Sequence, residues 1–270
     1  MNAQAKALLP ILSDTFSLEM YARTLEKAKS LGYEFPKVSE MRDGALSHDP
    51  FLLIRHDIDV SPRYALAMAE LEYEMGIFSS YYVLLHSPYY NPAAAPHWDA
   101  LKKMVSLGFE VGLHYETNFF ESRGFDPFKG ILRDVKVLEE ILEIEIKSIA
   151  QHMPASSSLL RDLNEHYVDA YNHDLMHNVR YISDSGFKWR GETLMEILGK
   201  EERIHALIHP VTWTFGELDM AQTYRRASSE ITSEIQESFE DFIESTNRHI
   251  AQRAQLDAAR KAQYLIQSRK

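Results

Sequence analysis

The chain contains no cysteine. That excludes disulfide staples, thiolate metal sites and cysteine nucleophiles, so any metal must be held by nitrogen and oxygen. Basic residues are also scarce: 29 Lys and Arg stand against 40 Asp and Glu, a net charge of −11. Phosphate backbones need a basic surface, which argues against nucleic acid as a main partner. No apolar run approaches the ~20 residues of a membrane helix, so no membrane span is expected. The patch from Ala7 to Leu12 is short and is interrupted by Pro10. It makes a poor signal peptide, and a cytoplasmic protein is expected. What remains is 270 residues, room for one large α/β domain with appendages, and 12 histidines.

The chain is organised around Phe51–Val60. Four apolar residues run straight into Arg55-His56-Asp57-Ile58-Asp59. Such a run reads as a buried strand of a parallel sheet. Strand alternation then puts Asp57 and Asp59 on one face and Ile58 on the other. Two carboxylates there are costly unless a metal, a cation or water satisfies them. In parallel folds the carboxyl ends of strands are where ligands bind.

Around that stretch, hydrophobic spacing predicts a helix over 14–31, stopped by Gly32, and a polar lead-in over 36–50. Ser61 and Pro62 open a helix that Gly76 ends. Further strands are expected at 79–85, 109–114, 146–150, 181–185 and 203–210, with helices at 98–107, 128–142 and 194–198. A loop is expected over 115–127, and a polar stretch with short helical turns over 155–178. Strand alternating with helix signals a parallel sheet or barrel. From Arg226 the composition changes: Ile231, Ile235, Phe239, Phe242, Ile243 and Ile250 mark an amphipathic helix. It either packs on the domain or serves a partner, a homo-oligomer among them; its spacing does not hold a strict heptad. The expected organisation is a lead-in over 1–50, a barrel over 51–225 and a helical tail over 226–270.

Several strands should end on one rim in Asp57-x-Asp59, His114, His152 and His209. Asp and His without Cys suit a divalent metal such as zinc. A catalytic zinc keeps three protein ligands and an open position, a second carboxylate can take a proton from water, and a histidine can protonate a leaving group. His56 points away from Asp57 and reads as packing. His205 reads as structural or exposed, and His166, His173 and His177 as surface residues. Trp189 and Arg190 can form a cation–π pair, or Trp189 can be a platform for a sugar.

Arg55-His56-Asp57-Ile58-Asp59, then Gly108 to His114, then Leu207-Ile208-His209 resembles, in order and strand placement, the NodB-type polysaccharide deacetylases (carbohydrate esterase family 4). The likeness covers roughly residues 50–215 and is nearest the His-Asp-x-Asp subgroup of surface-polysaccharide biosynthesis proteins. It implies a distorted (β/α)7 barrel and a metal-dependent carbohydrate deacetylase, a hydrolase removing an acetyl group from a sugar of a surface glycan or its precursor. By position it implies Asp57 as base, Asp59 and His114 as metal ligands, and His209 as general acid. Asp184 would orient His209, and Arg190 would neutralise the base. One position departs from the pattern: Asn118 stands where the family has its second metal histidine. His152 is expected to supply the third ligand instead, with Glu116 as the alternative. The competing reading is a catalytically silent barrel that binds a sugar or a partner protein.

Overall fold

The computed structural model describes residues 16–44, 49–154, 163–216 and 218–267. The patch from Ala7 to Leu12 lies outside them. The chain forms two compact units, one through Thr223 and one from Tyr224 onward.

Among the described residues, the first unit is built on seven strands: β1 (Phe51–Ile58), β2 (Ser80–Leu84), β3 (Glu110–Tyr115), β4 (Ser148–Gln151), β5 (Val168–Asp169), β6 (Arg180–Ser183) and β7 (Arg203–Ile208). They form one sheet in the order β5-β4-β3-β2-β1-β7-β6, and every pairing is parallel. The sheet curls into a distorted (β/α)7 barrel that stays open between β5 and β6. Across that opening, Tyr171 just after β5 comes to 6.4 Å, ring to ring, from Tyr181 of β6.

The flanking helices are α1 (Leu18–Ser30), α2 (Pro62–Glu74), α3 (Ala95–Ser106), α4 (Thr117–Glu121), α5 (Pro127–Leu142), α6 (His173–His177), α7 (Leu194–Ile197) and α8 (Pro210–Thr214). Their starts follow capping chemistry. Ser17 and Ser61 accept from the amides of Met20 and Arg63, and Asp126 accepts from those of Phe128 and Lys129. Gly76 and Gly108 turn the chain back toward the next strand at φ +68° and +93°, which side-chain-bearing residues resist.

β1 is buried along its whole length, as a strand covered on both faces should be. Leu52 and Ile54 pack outward with Tyr21 and Leu25 of α1, whereas Phe51 and Leu53 pack inside the curl with Tyr82 and Ala150. His56 also faces outward. Its Nε2 lies 2.7 Å from Glu72, which accepts hydroxyls from Ser79, Tyr81 and Tyr21. This buried cluster ties α1 and α2 to the back of β1. Inside the curl, Gly112 leaves room for the Tyr82 ring: a Cβ there would lie 2.6 Å from the ring and 2.5 Å from the Ser148 carbonyl.

Three segments differ from the sequence expectation. The stretch 155–178 contains the expected short helical turn, α6, but also β5, a strand of two residues. The loop over 115–127 contains the short helix α4. β7 stops at Ile208, because Pro210 starts α8 with His209 as its N-cap, and proline suits a first helical turn better than a strand interior.

The second unit is the main part of α9 (Met220–Gln267), a single helix of 48 residues. Among the described residues, no helix is long and apolar enough to cross a membrane.

Candidate active site and metal centre

The carboxyl ends of β1, β3, β4 and β7 bring Asp57, Asp59, His114, His152 and His209 together. His114 Nε2 lies 3.3 Å from Asp57 Oδ2 and 3.4 Å from Asp59 Oδ1. His209 Nε2 is 3.8 Å from Asp59 Oδ2. The rings of His114 and His152 meet edge to face at 5.1 Å. Asp59, His114 and His152 each offer one ligand atom, and the three atoms lie within 4.8 Å of one another.

Two features of this trio suit a divalent cation. First, Oδ1 of Asp59 is buried and accepts no hydrogen bond. An orphaned buried carboxylate oxygen beside ring nitrogens is costly unless a cation completes it. Second, both histidines are held through Nδ1, His114 on the Ala150 carbonyl at 2.9 Å and His152 on Glu116 Oε1 at 3.1 Å. That arrangement fixes the ring and presents Nε2 as a lone pair, the usual support of a metal-binding histidine. The hydrogen bond that His152 Nδ1–H donates to Glu116 raises the pKa of the ring, burial notwithstanding, and so makes it a stronger ligand. Behind Glu116 stands His86, 3.9 Å from its Oε2 and 3.3 Å from Asp134. Asn118 lies on α4 and is exposed, outside the trio.

Asp57 sits one step deeper. Arg55, two residues back on the same strand face, grips it with Nε at 2.8 Å from Oδ1 and Nη2 at 2.7 Å from Oδ2. Burial works against the charged carboxylate. The Arg55 guanidinium, helped by the His209 ring, outweighs it and holds Asp57 well below the usual carboxylate range. Arg55 is itself stacked on Tyr171 at 4.3 Å, and its Nη2 donates to the Tyr171 hydroxyl at 3.0 Å. The guanidinium on Asp57 is therefore that of Arg55. Arg190, which the resemblance put in that role, is exposed on the loop after β6.

His209 is fixed by Asp184, which is fully buried. Asp184 accepts from His209 Nδ1 at 2.6 Å, from the His209 amide at 2.9 Å and from the Trp213 indole at 2.8 Å. Burial alone would lower the pKa of the ring. Asp184, followed by Asp59 and Asp57, reverses this and pushes it up to about 9. At neutral pH His209 is thus an imidazolium whose Nε2–H faces the trio.

The other singled-out residues lie elsewhere. His205 is buried with no hydrogen-bond partner on either nitrogen, and burial, then Arg55, pushes its pKa down to about 3. His166, His173 and His177 are exposed. Trp189 packs against Phe16 and Trp213 at 5.5 and 6.1 Å, a packing role rather than an open platform. A groove of about 800 Å³ beside Glu110, Ile146 and Lys147 is at the opposite ends of β3 and β4 and holds none of the candidate residues.

No known family profile matches the chain, and no curated protein does. Solved structures do resemble it distantly. IcaB from Ammonifex degensii aligns at 17% identity over 54% of this chain and 71% of its own, with a TM-score of 0.42. The peptidoglycan deacetylase PdaC from Bacillus subtilis aligns at 13% identity over 71% of this chain and 85% of its own, with a TM-score of 0.40. A CE4 family pseudoenzyme from Bacillus anthracis aligns at 12% identity over 71% and 62%, with a TM-score of 0.44.

Proposed function

We propose that the protein is a metal-dependent hydrolase that removes an acetyl group from an acetylated sugar of a surface glycan or its precursor. The observation carrying this reading is the pairing of an Asp59–His114–His152 trio with two oppositely prepared proton carriers, Asp57 and His209, on one rim. Asp59, His114 and His152 would hold a divalent ion, most simply zinc. Such an ion supplies Lewis acidity and lowers the pKa of a water toward ~7.

The chain's own groups divide the proton work. Asp57 is ionised at neutral pH and accepts the proton of the attacking water; Arg55 orients it. The water oxygen bonds to the acetyl carbon as the carbon–nitrogen bond breaks. His209 delivers its Nε2 proton to the departing amine, and acetate leaves. Groups tuned in opposite directions around one centre are the pattern expected of an acid–base pair. Asp184 is a positioning residue: it holds the His209 ring by Nδ1 and keeps it charged.

The test is acetate release from N-acetylated amino-sugar oligomers by the zinc-loaded full chain. Release that falls at least a hundredfold in Asp57→Asn supports the reading. No release, with no metal retained after dialysis against zinc, would favour a silent barrel that binds a sugar or a partner protein.

A further inference from the structure

The second unit has a surface that the barrel chemistry leaves unused. Along α9, Ile235, Phe239, Phe242, Ile243, Ile250 and Leu256 are all about half to two-thirds exposed. At 100° per residue these positions fall on one side of the helix. An exposed apolar stripe of this kind, broken by Thr246 and Arg253, marks an interaction surface. A helix this long also gains most of its stability from packing its apolar face.

The charges identify what covers it. From Glu230 to Glu244 the helix carries six carboxylates and no Lys or Arg. From Arg248 to Lys261 it carries four Lys and Arg and one carboxylate, Asp257. The helix macrodipole acts within the first and last turns, so it cannot account for an acidic run of about four turns. A second copy laid antiparallel accounts for both features. Paired about Thr246, it sets the acidic half of each helix along the basic half of the other. Phe242 then meets Ile250 of the second copy, and Phe239 meets Arg253 of the second copy, a cation–π geometry. The two-fold symmetry makes each contact twice, as in a closed dimer. A parallel pairing would set acidic on acidic and basic on basic.

We infer that α9 is a self-association element whose partner is α9 of a second copy, antiparallel and centred near Thr246. The drift of the stripe away from a strict heptad limits this to a two-helix seam rather than an extended supercoil.

Sedimentation of the full chain at micromolar concentration tests it. The wild type should be a dimer that weakens as salt rises, because screening acts on exposed charges. Phe242→Glu should be monomeric while its circular dichroism stays that of the wild type. The absence of cysteine allows orientation to be read directly. Under oxidation, Thr246→Cys should be captured as a disulfide-linked dimer, and Ile235→Cys should not. A monomeric wild type, a Phe242→Glu variant that remains dimeric, or equal capture at both positions would overturn the inference.

Discussion

Asp169 offers a stability test of the electrostatics beneath the site. This carboxylate at the end of β5 is fully buried. It accepts the Tyr115 hydroxyl at 2.7 Å and the Tyr171 amide at 2.7 Å. Burial is the largest influence; these bonds and Arg55 offset it only in part, and the pKa rises from 3.8 to about 6. The folded value therefore lies above the unfolded one. Stability from this group is fully present below about pH 4 and is lost as pH rises through about 6, because the folded state then gives up a proton the unfolded chain has already lost. A gap of about two units corresponds to about 3 kcal/mol. Asp169→Asn does not titrate. Its amide oxygen can keep the Tyr171 bond, and its NH2 can donate to the Tyr115 oxygen. Relative to wild type, the variant should gain about 3 kcal/mol on going from about pH 4 to neutral pH. Urea unfolding of both proteins at the two pH values measures this, and the other carboxylates cancel in the difference. A stability difference that is the same at both pH values would refute the reasoning.

Two further substitutions probe the supports of the site. Asp184→Asn should lower acetate release by about a hundredfold or more, the scale of a lost general acid, while metal content stays that of the wild type; full activity would remove Asp184 from its positioning role. Glu116→Gln should weaken zinc affinity by about 10- to 100-fold through His152, measured by competition with a chromogenic chelator, and unchanged affinity would show that Glu116 does not hold the ring.

Much of this was legible in the residues, and the limits have physical causes. β1 announced itself because an apolar run ending in Arg-His-Asp-x-Asp can hardly be satisfied except at the end of a buried strand. The same two-residue alternation that aligns Asp57 with Asp59 also aligns Arg55 with Asp57. The arginine partner was thus present in the sequence as Arg55, whereas the resemblance pointed to Arg190. Glu116 was weighed only as a ligand. It lies just past β3, where alternation no longer fixes direction, so its hold on His152 could not be read. β5 left no signal, since two residues cannot show a period. Asp169 and Tyr171 went unnoticed with it, although they shape the surroundings of Arg55.

The departure at Asn118 makes the third ligand the sharpest point of the account. The most direct measurement is the zinc content of the purified full chain, by mass spectrometry, for wild type, Asn118→Ala and His152→Ala. The geometry predicts one ion per chain in the wild type and in Asn118→Ala, and loss of most of the metal in His152→Ala. Full occupancy in His152→Ala, or loss in Asn118→Ala, would contradict it.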